Sequence, residues 1–142
     1  MKEHTLTKTT VLTVQVQFGD CDPAGIVFFP NFARWMDAAS HHYFRECGVP
    51  SWSQIDEPAG FVGAPLVETR IHFFKPATYP DVLQVHTDVE IWRAKVFIQR
   101  HRVVRGATLV CEGHETRAFC TRDAKGHVKA VPVPEMIRAL CN

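Results

Sequence analysis

The chain has 142 residues, enough for one domain with a core of its own. Hydrophobic residues make up 46% and charged residues 22%, the balance of an ordinary globular domain and not of a disordered or fibrous chain. A net charge of +1, from 16 Lys and Arg against 15 Asp and Glu, argues against nucleic acid as the main ligand, because phosphate backbones call for a basic surplus.

Residues 1–10 are polar, carry no apolar run of signal-peptide length, and are expected to be loosely ordered. Leu12, Val14, Val16 and Phe18 alternate with Thr13, Gln15 and Gln17, a period of two that predicts a strand over 11–18. Gly19 to Gly25 is rich in turn formers. A helix follows over 31–47, with Pro30 suited to its first turn and Gly48 and Pro50 stopping it. Phe32, Trp35, Met36, Ala39 and Tyr43 fall on one face of it. Residues 51–63 read as a loop. Strands are then predicted over 66–74, 82–92, 96–104 and 109–121, with a shorter one near 127–131 and a last helical turn or two over 134–140. Short connections around Pro76 to Asp81, Gly106, and Asp123 to Gly126 suit antiparallel hairpins.

One long helix with a strongly apolar face must bury that face, and a curved antiparallel sheet is the available partner. The expectation is a single α+β domain over 1–142. Cys21, Cys47, Cys111, Cys120 and Cys141 are odd in number and scattered, which points to reduced thiols and not to a disulfide framework or a zinc site. No HExxH spacing occurs among the eight histidines, so no metal is expected. No run approaches the ~20 apolar residues that span a bilayer, so the cytoplasm is the expected location.

The segment Phe18-Gly19-Asp20-Cys21-Asp22-Pro23-Ala24-Gly25-Ile26-Val27-Phe28-Phe29-Pro30-Asn31-Phe32 resembles the opening motif of the 4-hydroxybenzoyl-CoA thioesterase family of hotdog enzymes. Further likeness lies in Arg34 to Ser40, in Gly63-Ala64-Pro65, and in Trp92-Arg93-Ala94-Lys95 with Gln99-Arg100-His101. The resemblance implies the hotdog fold, a five- to six-stranded antiparallel sheet wrapped around one central helix. It implies hydrolysis of an aromatic, 4-hydroxybenzoyl-like CoA thioester to the free acid and coenzyme A, with coenzyme A as part of the substrate and no cofactor. Association through sheets, as a homodimer or homotetramer, is implied as well.

The resemblance also assigns residues. The family's catalytic carboxylate falls on Asp22, which would attack the thioester carbonyl or activate water. The N–H that polarises the carbonyl falls on Phe29, at a helix start where main-chain donors lack intrahelical partners and the macrodipole is positive. Gly25 beside it would let the substrate approach closely. Asp37 matches the position that accepts a hydrogen bond from the substrate's phenol, with Phe28 and Ala64 at the substrate pocket. Arg93 and Lys95 match contacts to coenzyme A phosphates. Departures are Phe28-Phe29 in place of a more polar aromatic pair, Ala33 at a His position, Ala64 in place of a hydroxyl residue and Ala94 in place of a basic one. Asp20 reads as a turn or cap residue, and Arg100 and His101 as belonging to a strand and its surface.

Three other functions fit less well. A short- or medium-chain acyl-CoA or acyl-carrier-protein thioesterase would leave Asp37 without a hydrogen-bond donor. Dehydration of a 3-hydroxyacyl thioester calls for a His between Phe18 and Ser40, where none occurs. A non-catalytic acyl-CoA-binding module would have no use for Asp22.

Overall fold

The computed structural model describes residues 7–142. Helix α1 spans Pro30–Glu46, ~26 Å at 1.5 Å per residue. It opens on Pro30 at N1 and stops before Gly48, whose φ of 86° turns the chain away while its N–H donates to the Arg45 carbonyl. Its buried face holds the five predicted residues together with Ser40 and Phe44.

That face lies on a five-stranded antiparallel sheet of order β1-β4-β5-β6-β3. The strands are β1 (Thr10–Gln15), β3 (Leu66–Phe73), β4 (Val82–Trp92), β5 (Val96–Arg105) and β6 (Thr108–Ala118). A smaller sheet, order β2-β7-β8, joins Phe61–Gly63, Cys120–Arg122 and Val128–Ala130, and α2 (Glu135–Cys141) closes the chain. The helix comes very close to β6 at Gly113, where a Cβ would sit 2.4 Å from Met36 Sδ.

The core has two halves along α1. Phe32, Trp35, Met36 and Ala39 pack with Val16, Leu83, Val85, Val103 and Cys111 at the N-terminal end. Tyr43 and Phe44 pack with Phe61, Phe97, Phe119 and Ile137 at the other.

Local departures from the expected elements have local causes. β1 stops at Gln15 because Val16 N–H donates to Asp81 O, and Phe18–Asp20 then forms a 3-10 turn closed by Gln17 N–H on Asp20 Oδ2. The strand expected over 109–121 breaks at Phe119, whose N–H turns to Lys95 O while its ring is buried, so β7 joins β2 in the smaller sheet. The region expected as a loop, 51–63, contains a 3-10 turn at Trp52–Gln54 and strand β2. Trp52 packs there edge-to-face against Phe44, Phe61 and Phe119. Of the N-terminal stretch expected to be loose, residues 1–6 lie outside the described ones. The rest is tied down: Thr7 Oγ1 donates to Val89 O at 2.9 Å, Lys8 N–H to Cys141 O at 2.9 Å, and Thr10 enters β1. No helix among the described residues is long and apolar enough to cross a membrane.

Candidate active site

The loop between β1 and α1 is fixed by its own main chain. Gly25 N–H donates to Asp22 O and Asp22 N–H to Ile26 O, both at 2.9 Å, making a tight turn that needs the φ of 80° available to Gly25. The half-buried Asp22 accepts Ala24 N–H on Oδ1 at 2.8 Å, which fixes the carboxylate in place. Thr78 Oγ1 donates to Gly25 O at 2.6 Å and Val27 N–H to Ala77 O at 2.8 Å, docking the turn on the loop before β4.

Asp20 fastens the same loop to the helix. Its carboxylate accepts from Gln17 N–H and from Arg34 Nη2, and its carbonyl accepts from Phe28 N–H and Asn31 Nδ2. The expected structural role of Asp20 is what the geometry contains. Phe29 already has helical dihedrals (φ −55°, ψ −33°), and its N–H donates to no main-chain carbonyl among the described residues. Beside it lies an apolar groove of about 330 Å³, lined by Ile26, Phe29, Phe32, Phe73, Phe74 and Pro76. The Phe28 and Phe29 side chains are both exposed.

Asp37 lies eight residues beyond Phe29, ~12 Å along the helix axis. Its exposed carboxylate meets a buried cation: Arg117 Nη2 is 2.7 Å from Asp37 Oδ1. Arg117 also donates from Nη1 to Ala64 O at 3.1 Å and from Nη2 to Glu115 Oε2 at 3.0 Å. Ala64 and Arg117 line a groove of about 400 Å³ with His41, Trp52, Val62 and Pro65. His41 follows Asp37 by one turn on the same face of α1. Two candidate substrate residues that stand apart in the sequence, Asp37 and Ala64, are thus joined by one side chain.

The polar chain continues inward. Glu115 Oε1 lies 2.5 Å from His101 Nε2, and His101 Nδ1 lies 2.7 Å from Thr87 Oγ1. Nearby, Ser40 Oγ donates to Gln99 Oε1 at 2.6 Å. Thr87, Gln99, His101, Glu115 and Arg117 are all buried between α1 and the sheet. This corrects the expectation for His101, which belongs to the interior and not to the surface. The reason is register: His101 shares the inward face of β5 with Phe97, Gln99 and Val103. Arg100 points the other way and pairs with Asp88 at 2.8 Å. Glu115 and Arg117 escaped sequence reasoning. The signal for them is the alternation of β6, which puts both at inward positions.

Arg93 and Lys95 are exposed at the β4–β5 turn, and Arg138 from α2 joins them. The tip is braced by Arg93 N–H to Val96 O, Phe119 N–H to Lys95 O, Val133 N–H to Ala94 O and Arg138 Nη2 to Arg93 O. Arg138 also lies over the Trp92 ring, 5.6 Å from its centre. Among the described residues no cluster of three or more His, Cys, Asp or Glu has metal-binding geometry.

The model of the thioesterase-like superfamily matches residues 16–140 of this chain. The 4-hydroxybenzoyl-CoA thioesterase of Pseudomonas sp. (strain CBS-3) is 41% identical over 142 residues, covering 96% of this chain and 100% of that enzyme. A crystal structure of an Asp-to-Asn mutant of a 4-hydroxybenzoyl-CoA thioesterase, in complex with 4-hydroxybenzoyl-CoA, superposes with a TM-score of 0.87 at 40% identity, over 94% of this chain and 99% of that one. A gentisyl-coenzyme A thioesterase structure gives a TM-score of 0.79 at 33% identity, over 92% of this chain and 98% of that one.

Proposed function

The chain belongs to the thioesterase-like superfamily and has its hotdog fold, and from that premise we propose that it hydrolyses an aromatic acyl-CoA thioester of the 4-hydroxybenzoyl kind to the free acid and coenzyme A. One observation carries the reading. A carboxylate held in a tight turn, Asp22, shares a loop with the main-chain N–H of Phe29, which has no partner among the described residues, at the start of the long helix.

In this reading the thioester oxygen accepts the Phe29 N–H, and the positive end of α1 adds to the stabilisation as negative charge develops there. Asp22 either attacks the carbonyl carbon, forming a mixed anhydride and expelling the thiolate, or takes a proton from the water that attacks. Water opens the anhydride in the first case, and both routes yield the acid and coenzyme A. A thiolate whose acid has a pKa of about 8.5 leaves without a strong general acid. Gly25 leaves room for the substrate next to the carboxylate. Asp37 accepts the phenolic hydrogen of the ring, with Phe28 and Ala64 at the pocket wall. Arg93 and Lys95 meet coenzyme A phosphates at the solvent edge. The chemistry calls for no metal or other cofactor.

The same reading includes a homodimer or homotetramer in the cytoplasm. β3 is an edge strand, exposed along nearly its whole length, with Leu66 and Val67 among its uncovered apolar residues. It runs from the Ala64–Arg117 groove at one end to the Phe29 groove at the other. Antiparallel pairing of two β3 strands about a two-fold axis would bring the Ala64–Arg117 groove of one protomer toward the partner's Asp22 loop. All five cysteines are free thiols, which suits a reducing compartment.

The test is thiol release from a panel of 4-hydroxybenzoyl-, benzoyl-, 3-hydroxybenzoyl-, phenylacetyl-, hexanoyl- and palmitoyl-CoA. Fastest turnover of the hydroxylated aroyl thioesters is expected. Preference for the fatty thioesters would refute the substrate class, and no turnover of any would refute the enzyme.

A further inference from the structure

We infer that Arg117 sets the preference for a ring hydroxyl by holding Asp37 and the Ala64 carbonyl in fixed places, as a positioning residue that itself stays off the reacting atoms. This rests on the reading of Asp37 as the acceptor of the phenolic hydrogen.

A helix Asp whose carboxylate is more than half exposed ordinarily swings among rotamers, and an exposed ion pair does little to hold it. Here the partner cannot follow. The Arg117 side chain is 5% exposed and its guanidinium is gripped from three elements: Asp37 on α1, Ala64 O just before β3, and Glu115 on its own strand. Glu115 is gripped in turn by His101, and His101 by Thr87, so the chain of hydrogen bonds crosses from β6 through β5 to β4. Arg117 Nε finds no partner among the described residues, but Nη1 and Nη2 together make three hydrogen bonds in a low-dielectric interior, and that grip is passed to the one member that reaches solvent.

Stability alone does not account for these charges. Well-packed apolar residues commonly replace a buried ion pair at no loss of stability, whereas a fork of donors fixes position in a way that apolar contacts do not. The charges at the outer end point the same way. Two carboxylates share one guanidinium, so Asp37, with Oδ1 engaged, keeps an oxygen for an O–H donor. Since Arg117 also holds Ala64 O, it spaces Asp37 from the neighbouring pocket wall.

The experiment is a double-mutant cycle on the purified full chain with Arg117→Lys, Asp37→Ala and the double variant. The quantity read is the ratio of kcat/KM for 4-hydroxybenzoyl-CoA over benzoyl-CoA. Lysine keeps the charge and loses the fork, and the ratio should fall about tenfold, the low end for a hydrogen bond to an ionised group. In the Asp37→Ala background the same change should move the ratio no further, a result that a general structural role would not produce. Glu115→Gln, which keeps the side-chain volume, should lower the ratio in the same direction. A folded Arg117→Lys variant with the parental ratio would overturn the inference, as would an equal fall in both backgrounds. If Asp37→Ala alone keeps the ratio, the hydroxyl-reading role of Asp37 fails and this inference with it. If Asp37→Ala loses the ratio while folded Arg117→Lys and Glu115→Gln keep it, only the positioning role fails.

Discussion

Gly113→Ala tests how α1 is held at its distance from the sheet. The new Cβ would sit 2.4 Å from Met36 Sδ, 2.9 Å from Met36 Cε and 3.6 Å from Ile71 Cγ1. Ordinary non-bonded contact lies near ~3.5–4.0 Å, so the sulfur must move by about 1 Å or the helix must lift. Met36 is completely buried, and its neighbours along α1, Phe32, Trp35 and Ala39, are packed in the same cluster. Overpacking of this kind costs ~1–3 kcal/mol. The flexible thioether and the lower backbone entropy of Ala in a strand each offset part of that cost. A loss of ~1–2 kcal/mol is expected, or ~4–8 °C in Tm for a chain between the two size classes for which the scaling is known. Urea unfolding followed by tryptophan fluorescence measures it, with Trp35 reporting from the helix itself. Met36→Ala should cost ~2–5 kcal/mol alone and leave space that the new methyl partly fills, so the double variant should lose less than the sum by ~1 kcal/mol. The hydroxyl preference should fall too, because lifting α1 draws Asp37 away from Arg117. A Gly113→Ala protein as stable as the parent, or one strictly additive with Met36→Ala, would refute the close approach of α1 to β6.

Asp22→Asn should lower kcat by ~10²–10⁴ while leaving the far-UV spectrum and Tm near the parent's; parental turnover in a thiol-release assay would remove Asp22 from the chemistry. Phe29→Leu keeps the main-chain N–H and should be mild, whereas Phe29→Pro deletes it at a φ of −55° that proline accepts, and should cost ~10²–10³ in kcat; similar rates for the two would contradict the oxyanion role. Burial pushes the Cys111 thiol up to about 12 from 9.0, so it stays protonated when folded and ionises when unfolded. Its contribution to stability is whole below pH 9.0, falls as pH rises toward 12, and changes by ~1.4 kcal/mol per pH unit within that window. Urea melts of Cys111→Ala against the parent should therefore show a shallower alkaline decline, and equal slopes would refute the assignment. Lys95→Ala should raise KM for the CoA thioester at low salt, with the gap closing as ionic strength rises; a gap independent of salt would argue against phosphate contact.

Much of the fold was legible because its signals are local. The apolar face of α1 repeats every three to four residues, the strands alternate every two, Pro30 is the first helical residue and Gly48 lies two beyond the last. The loop motif from Phe18 to Phe32 carries its own hydrogen bonds between near neighbours, so a turn holding Asp22 and Gly25 ahead of the helix was legible from local residues. What the sequence left open depends on pairs far apart along the chain. Arg117 meets Asp37 across 80 residues and Ser40 meets Gln99 across 59, and no periodicity encodes which inward polar residue finds which. A polar residue at an inward position reads as surface until the facing strand and helix supply its partner, as His101 shows. β3 precedes β4 in the chain yet forms the far edge of the sheet beside β6. The sequence by itself determined the long helix, the main strands and the turn-rich loop before the helix, because these rest on contacts a few residues apart. The tertiary structure alone decided the buried polar chain that ends at Asp37, because Asp37 on α1, Arg117 and Glu115 on β6, His101 on β5 and Thr87 on β4 find their partners only when the helix and the three strands come together.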